Sequence, residues 1–325
     1  MDRSTPTPGT RLPTAVRAAS SGTPSTEAPS TEAPSTEAWG LLLILALPWG
    51  GSFVFYRLLA DRLPVLITVW SRVALAALLL FLLLWLRGER ARIRWRDIAV
   101  MAVLNNLVPF SLLAWGETRV TAGLASVLNA TTPAFAVLIA ALAGAEALSR
   151  PRVLGCALAF AGVVVLIGPS VLAGGDALGA LACLGAACSY GLAALWGRRL
   201  RGTPPLAAAA GQCLASAVLL LPVMVAVDRP WALPMPGLGT WGAILGLAWL
   251  STALAYVIFF RIIVVSGPQN AMLVTFLTPV TGLLMGALFL GETILLRMLA
   301  GLLVIAAGLI AIDGRLGRRL ARRRF

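Results

Sequence analysis

From about residue 39 onward the chain alternates between long apolar runs and short polar interruptions. The runs lie near 39–56, 64–86, 97–115, 121–144, 152–169, 177–197, 206–227, 237–260, 267–290 and 294–313. At 1.5 Å of helical rise per residue, each can cross a hydrocarbon layer of roughly 30 Å, some of them tilted. The pattern therefore predicts an all-α integral membrane fold of ten transmembrane helices. Two runs carry breaks of their own: the third holds Asn105, Asn106 and Pro109, and the ninth holds Pro279.

Polar residues dominate only at the two ends. Residues 1–38 contain the unit Pro-Ser-Thr-Glu-Ala three times in succession, from Pro24 to Ala38. Such a segment has almost nothing to bury, so a disordered tail is expected there. It has no short apolar core followed by a cleavage site, so it does not read as a secretory signal. Residues 314–325 form a short basic tail.

Charge sharpens the picture. The chain is 59% hydrophobic and 12% charged, with a net charge of +13 and neither His nor Lys. The arginines gather between spans rather than on one face, which argues against nucleic-acid binding. With the N-terminus in the cytoplasm, 20 arginines fall on the cytoplasmic side and five on the other, and Arg72 lies inside a span. This asymmetry places both termini in the cytoplasm of a multi-pass inner-membrane protein. Without His, a zinc-binding HExxH or a GxSxG elbow, an intramembrane enzyme is disfavoured. No cofactor or metal is called for. The four cysteines lie in apolar stretches without CxxC spacing and read as close-packing residues.

The two halves repeat. At an offset of 146 residues, Thr132 matches Thr278, Pro133 matches Pro279, Glu146 matches Glu292, Gly155 matches Gly301 and Gly162 matches Gly308. Earlier in each half the offset is 141, pairing Trp49-Gly50 with Tyr190-Gly191, Arg57 with Arg198 and Pro64 with Pro205. The Pro and Glu matches carry the weight, because only seven Glu exist and three of them are in the tail. Five spans per half is an odd number, so the second half, residues 176–313, enters inverted relative to the first, residues 39–170. Inverted repeats suit secondary carriers with a site near mid-membrane.

On these residues the chain resembles the drug/metabolite transporter superfamily, in its two-domain EamA-type branch. The likeness rests on Trp49 to Ser52, Arg72, Leu277 to Val280, Leu288 to Glu292 and the counterpart Ala141 to Glu146. The resemblance implies export or exchange of small organic metabolites, often amino acids or related compounds. Multidrug, sugar and lipid-intermediate carriers, or a non-transporting receptor of the same fold, remain alternatives.

Candidate path residues follow from polarity in apolar spans. Arg72 lies about 12 Å deep by helical rise and must face the bundle interior. Asn129, Thr132 and Pro133 share one helix face, and Thr275, Thr278 and Pro279 repeat it. Each Pro frees a carbonyl that lipid cannot satisfy. The embedded amides Asn105, Asn106, Gln212, Gln269 and Asn270 can join helices or line a path. Trp115, Tyr190 and Tyr256 can shape a pocket. Glu117 ends the third span, where it can pair with Arg119 or take a proton as a coupling carboxylate. Glu146 and Glu292 read as solvated helix ends. Gly242 to Gly246 and Gly282 to Gly286 are GxxxG faces, within or between protomers, so a homodimer is also open.

Overall fold

The structure is a computed structural model, and it describes residues 34–88, 93–173 and 176–314. Most of the expected N-terminal tail and all but the first residue of the basic C-terminal one lie outside those residues. All regular structure among the described residues is helical. The spans are α1 (Thr36–Ala60), α2 (Val65–Leu86), α3 (Trp95–Gly116), α4 (Ala122–Leu142) and α5 (Arg150–Gly168) in the first half. The second half holds α6 (Ala177–Leu200), α7 (Pro205–Asp228), α8 (Leu238–Ser266), α9 (Val274–Leu290) and α10 (Leu296–Asp313).

Nine of these are long and apolar enough to cross a membrane, while α9 has 17 residues and falls short of that length. A single turn, Pro268–Ala271, precedes α9, so the ninth run is split into two pieces. The first helix also starts earlier than expected. Ser35 caps it by accepting a hydrogen bond from the Ala38 amide at 3.2 Å, and Glu37 reaches Arg261 at 3.1 Å. A capped, acidic first turn is stable enough to draw the last three tail residues into α1.

Helix pairing obeys the inverted repeat. α1 packs along α9, and its repeat partner α6 packs along the second half of α4. α2 meets α8 as α7 meets α3, while α2–α7 and α5–α10 form pairs that the symmetry maps onto themselves. The α5–α10 seam shows why glycine recurs. A Cβ on Gly155 would stand 2.5 Å from the Gly308 carbonyl, and one on Gly162 would stand 2.8 Å from the Gly301 carbonyl. The glycines that repeat in sequence thus meet crosswise in space, where only a bare backbone fits.

Three helices are interrupted at mid-span. α3 widens to i→i+5 turns over Val103–Leu107, and α8 does the same over Gly246–Leu254. Pro109 explains the first: it cannot donate to the carbonyl of Asn105. α4 breaks at Ala130 and Thr131. There Thr132 Oγ1 donates to the Asn129 carbonyl at 2.8 Å, replacing the bond that Pro133 cannot make. Wide turns of this kind re-aim side chains, and they bring the polar residues of α3 and α8 inward.

Candidate functional site

Arg72 sits on the eighth position of α2 and is 5% exposed. Its Nε donates to Thr252 Oγ1 on α8 at 2.8 Å, and its Nη1 donates to the Tyr56 hydroxyl on α1 at 2.6 Å. The guanidinium also lies 3.6 Å from the centroid of the Phe110 ring on α3. Every one of these partners is neutral. Nη2 finds no acceptor among the described residues. An Arg at mid-membrane costs about 2.5–3.5 kcal/mol even on the mildest scale, and a charge kept there without an ion pair invites an anion.

One turn earlier on α3 and one turn later on α8 lies an amide layer. Asn105 Nδ2 donates to Gln212 Oε1 at 3.0 Å and to the Tyr256 hydroxyl at 3.1 Å. Asn106, 0% exposed, donates to Ser216 Oγ at 3.1 Å and accepts from Tyr256 at 3.4 Å. Asn106 and Phe110 are four apart on α3, as are Thr252 and Tyr256 on α8. The two layers are therefore about 6 Å apart along each helix. The ring of Tyr256 stacks on Phe260 at 6.0 Å, and Phe259 carries the aromatic surface on to Trp49 at 5.4 Å.

Several buried polar atoms have no partner among the described residues: Asn129 Oδ1, Ser251 Oγ and, at the end of α3, both carboxyl oxygens of Glu117. Buried polar atoms are nearly always paired, so each orphan needs a reason. Ser251 neighbours the Thr252 that binds Arg72. Asn129 is the eighth residue of α4, as Arg72 is of α2, so both lie about 10 Å along their helices from the same end.

That end is closed by a clasp. Glu292, between α9 and α10, accepts hydrogen bonds from the amides of Ala122 and Gly123 at 2.7 and 2.9 Å. The carboxylate thus caps the start of α4, where free amides and the helix dipole favour an anion. Among the described residues its repeat partner Glu146 pairs with Arg152 at 3.0 Å and with Arg198. Glu292 is therefore not the solvated helix end expected from the sequence, whereas Glu146 keeps 36% of its side chain exposed. A cavity of about 380 Å³ lies at the clasp, lined by Arg57, Asp61, Arg62, Thr121 and Glu292 among others.

Glu117 stands one residue past α3 and is 0% exposed. It does not pair with Arg119, whose guanidinium lies over the Trp115 ring at 4.4 Å. Arg57 reaches only its backbone carbonyl, at 3.2 Å. Burial and the negative charge of Glu292 hold the Glu117 carboxyl well above the ordinary carboxylate range, against the opposing pull of Arg57 and Arg72.

The remaining sequence candidates fall elsewhere. Thr278 and Thr275 bond to carbonyls of their own segment, Val274 and Met272. Pro279 is buried, with its carbonyl 3.5 Å from Ser126 Oγ on α4. Asn270 bonds to Ser266 at 2.8 Å in the turn before α9, away from Arg72, and the side chain of Gln269 is not among those described. Trp115 and Tyr190 are half-buried. Of the GxxxG glycines, Gly246 faces Phe55, Gly282 faces Ser126 and Gly286 faces Glu292, all within the chain. Tyr56, Thr252, Phe110 and Ser216 were not legible as site residues, because a lone hydroxyl or ring in an apolar run looks like ordinary packing.

Known proteins agree with this architecture. The EamA-like transporter family matches residues 38–168 and again 177–312. The chain belongs to that family. An uncharacterized transporter of Archaeoglobus fulgidus is 25% identical over 84% of this chain and 98% of its own length. The uncharacterized inner membrane transporter YedA of Escherichia coli is 28% identical over 84% of this chain and 90% of its own. A probable terminal-alkyne amino-acid exporter of Streptantibioticus cattleyicolor is 33% identical, over 39% of this chain and 43% of its own. One solved crystal structure superposes on 87% of this chain and 98% of its own with a TM-score of 0.63 at 19% identity, a likeness of fold. The chain is thus a multi-pass membrane transporter of EamA type.

Proposed function

We propose that this EamA-type protein is a secondary carrier for small organic metabolites bearing a carboxylate, amino acids and related compounds above all. It binds them at the Arg72 level and exports them across the inner membrane by alternating access. One observation carries the reading: a buried, permanently charged guanidinium whose partners among the described residues are neutral, with the unpartnered Asn129 Oδ1 at the same helical depth. A substrate carboxylate supplies the missing counter-charge on Nη2. The orphan Asn129 Oδ1 suits a substrate ammonium at the same depth.

The unequal ends support alternation. Two halves related by inversion are held differently among the described residues, with Glu292 clasping the start of α4 and Glu146 pairing with Arg152 and Arg198. Exchanging the two arrangements would move access from one side of the bilayer to the other. In the topology the arginines predict, with both termini cytoplasmic, the clasped end faces outward.

The test is flux into liposomes holding the purified protein, measured for amino acids and for the amines left by removing their carboxylate. The acids should cross, and Arg72→Gln should slow them at least about tenfold, the scale on which a buried charge-assisted bond is lost. Equal flux of acids and amines would overturn the carboxylate reading. Flux of drugs, sugars or lipid intermediates alone would move the protein to another carrier class. Folded protein that moves none of these would favour a receptor.

A further inference from the structure

Glu117 is the fully buried carboxyl of this structure that the substrate reading leaves unused. Both its oxygens are sealed from solvent and neither has a partner among the described residues. The wall that seals it is tight. Gly116, beside it, lies so close to α6 that a Cβ would stand 2.8 Å from Cys183 Sγ and 3.0 Å from the Gly179 carbonyl. The titratable and charged groups bearing on it come from every side. They are Tyr56 and Arg57 on α1, Arg72 on α2, Cys183 on α6 and Glu292 in the α9–α10 connection. Arg119, two residues on, is turned away onto Trp115.

Two of these groups, Arg57 and Glu292, also line the cavity at the clasped end. Glu117 therefore lies just behind the residues that water reaches from that side. The packing around it is compatible with a neutral carboxylic acid and not with a bare carboxylate. An ionised Glu117 would sit dehydrated beside a second negative charge, at a cost relieved by letting water in.

We propose that Glu117 is a proton-binding site that controls the Glu292 end: with the proton bound the clasp stays shut, and with the proton released that end opens. This rests on the carrier reading above. It adds that the closed state on that side is reached only with a proton aboard, so passage through it is tied to protons arriving by way of the clasp cavity. The proton, on this account, is a second ligand of the carrier.

A substrate is not needed to test it. Ser126 lies beneath the clasp at 1% exposure, against the backbone of Gly282. With the four native cysteines replaced by Ala, Ser126→Cys in the full chain, reconstituted in nanodiscs, reports opening through its rate of modification by a water-soluble maleimide. The rate is read between about pH 5 and about pH 8 and divided by that of Ser126→Cys/Glu117→Gln, which cancels the thiol's own ionisation. The ratio should rise about tenfold across that range, because the Gln variant stays shut; a flat ratio would overturn the proposal. Arg57→Gln provides a second reading should Glu117→Gln fail to fold. Removing that positive charge should move the opening midpoint to higher pH, whereas a merely loosened end would label faster at every pH, and that result would also overturn it. Flux of amino acids with no pH-dependent opening would sink the proton site and spare the carrier. Opening without any flux would do the reverse.

Discussion

Arg72 and Glu117 face the same physical problem and answer it differently. A guanidinium cannot shed its proton, so Arg72 stays charged and surrounds itself with Tyr56, Thr252 and the face of Phe110. A carboxyl can become neutral, and Glu117 is held above the usual carboxylate range by burial and by Glu292. The sign for stability follows. The raised carboxyl makes a contribution that is fully present below the ordinary carboxylate pKa and is lost as the pH climbs from there through the raised folded value. Thermal melting of the purified protein should therefore drop toward higher pH, and Glu117→Gln should flatten that slope; an unchanged slope would show that Glu117 is ionised in the folded state. Arg72 was legible in the sequence because a charge inside an apolar run is rare. Glu117 was legible as a possible proton acceptor, but its burial was not, because its position at a span end says nothing of the helices that cover it.

At the scale of elements, proline and glycine do different work. Pro133 and Pro109 interrupt α4 and α3 at mid-span, and nearby hydroxyls or wider turns take up the freed carbonyls. Replacing Pro133 and Pro279 together with Ala restores two main-chain bonds and should straighten both helices. The expected result is slowed amino-acid flux with melting temperature held or raised; unaltered flux would reduce these breaks to packing features. The α5–α10 seam makes the opposite point. Gly308→Val places a branched side chain where a Cβ alone would stand 2.5 Å from the Gly155 carbonyl. That should destabilise the fold by about 1–3 kcal/mol, as overpacking does. Gly40→Ala, with nothing within 4 Å of the new carbon, should be neutral or slightly stabilising. Both are checked by thermal melting in detergent, and equal effects would contradict the seam geometry.

For the whole molecule, the inverted repeat predicts that the two chain ends share one side of the bilayer. Reporter tags attached ahead of α1 and after α10 should both read as cytoplasmic in intact cells, and tags on opposite sides would refute the arginine-based topology. Much of this architecture was written in the linear pattern. Apolar run length sets the spans, because lipid demands that each backbone bond be satisfied within its own helix. The Pro, Glu and Gly matches at one offset reveal the two halves, since a duplicated helix keeps the residues its packing needs. What remained for the tertiary structure was everything that depends on which helix covers which. It joined Arg72 to Thr252, 180 residues away, turned Glu292 from an exposed helix end into a cap on α4, and left Glu117 sealed without a partner among the described residues. Those features depend on distances and desolvation between segments far apart in the chain, and no local pattern encodes them.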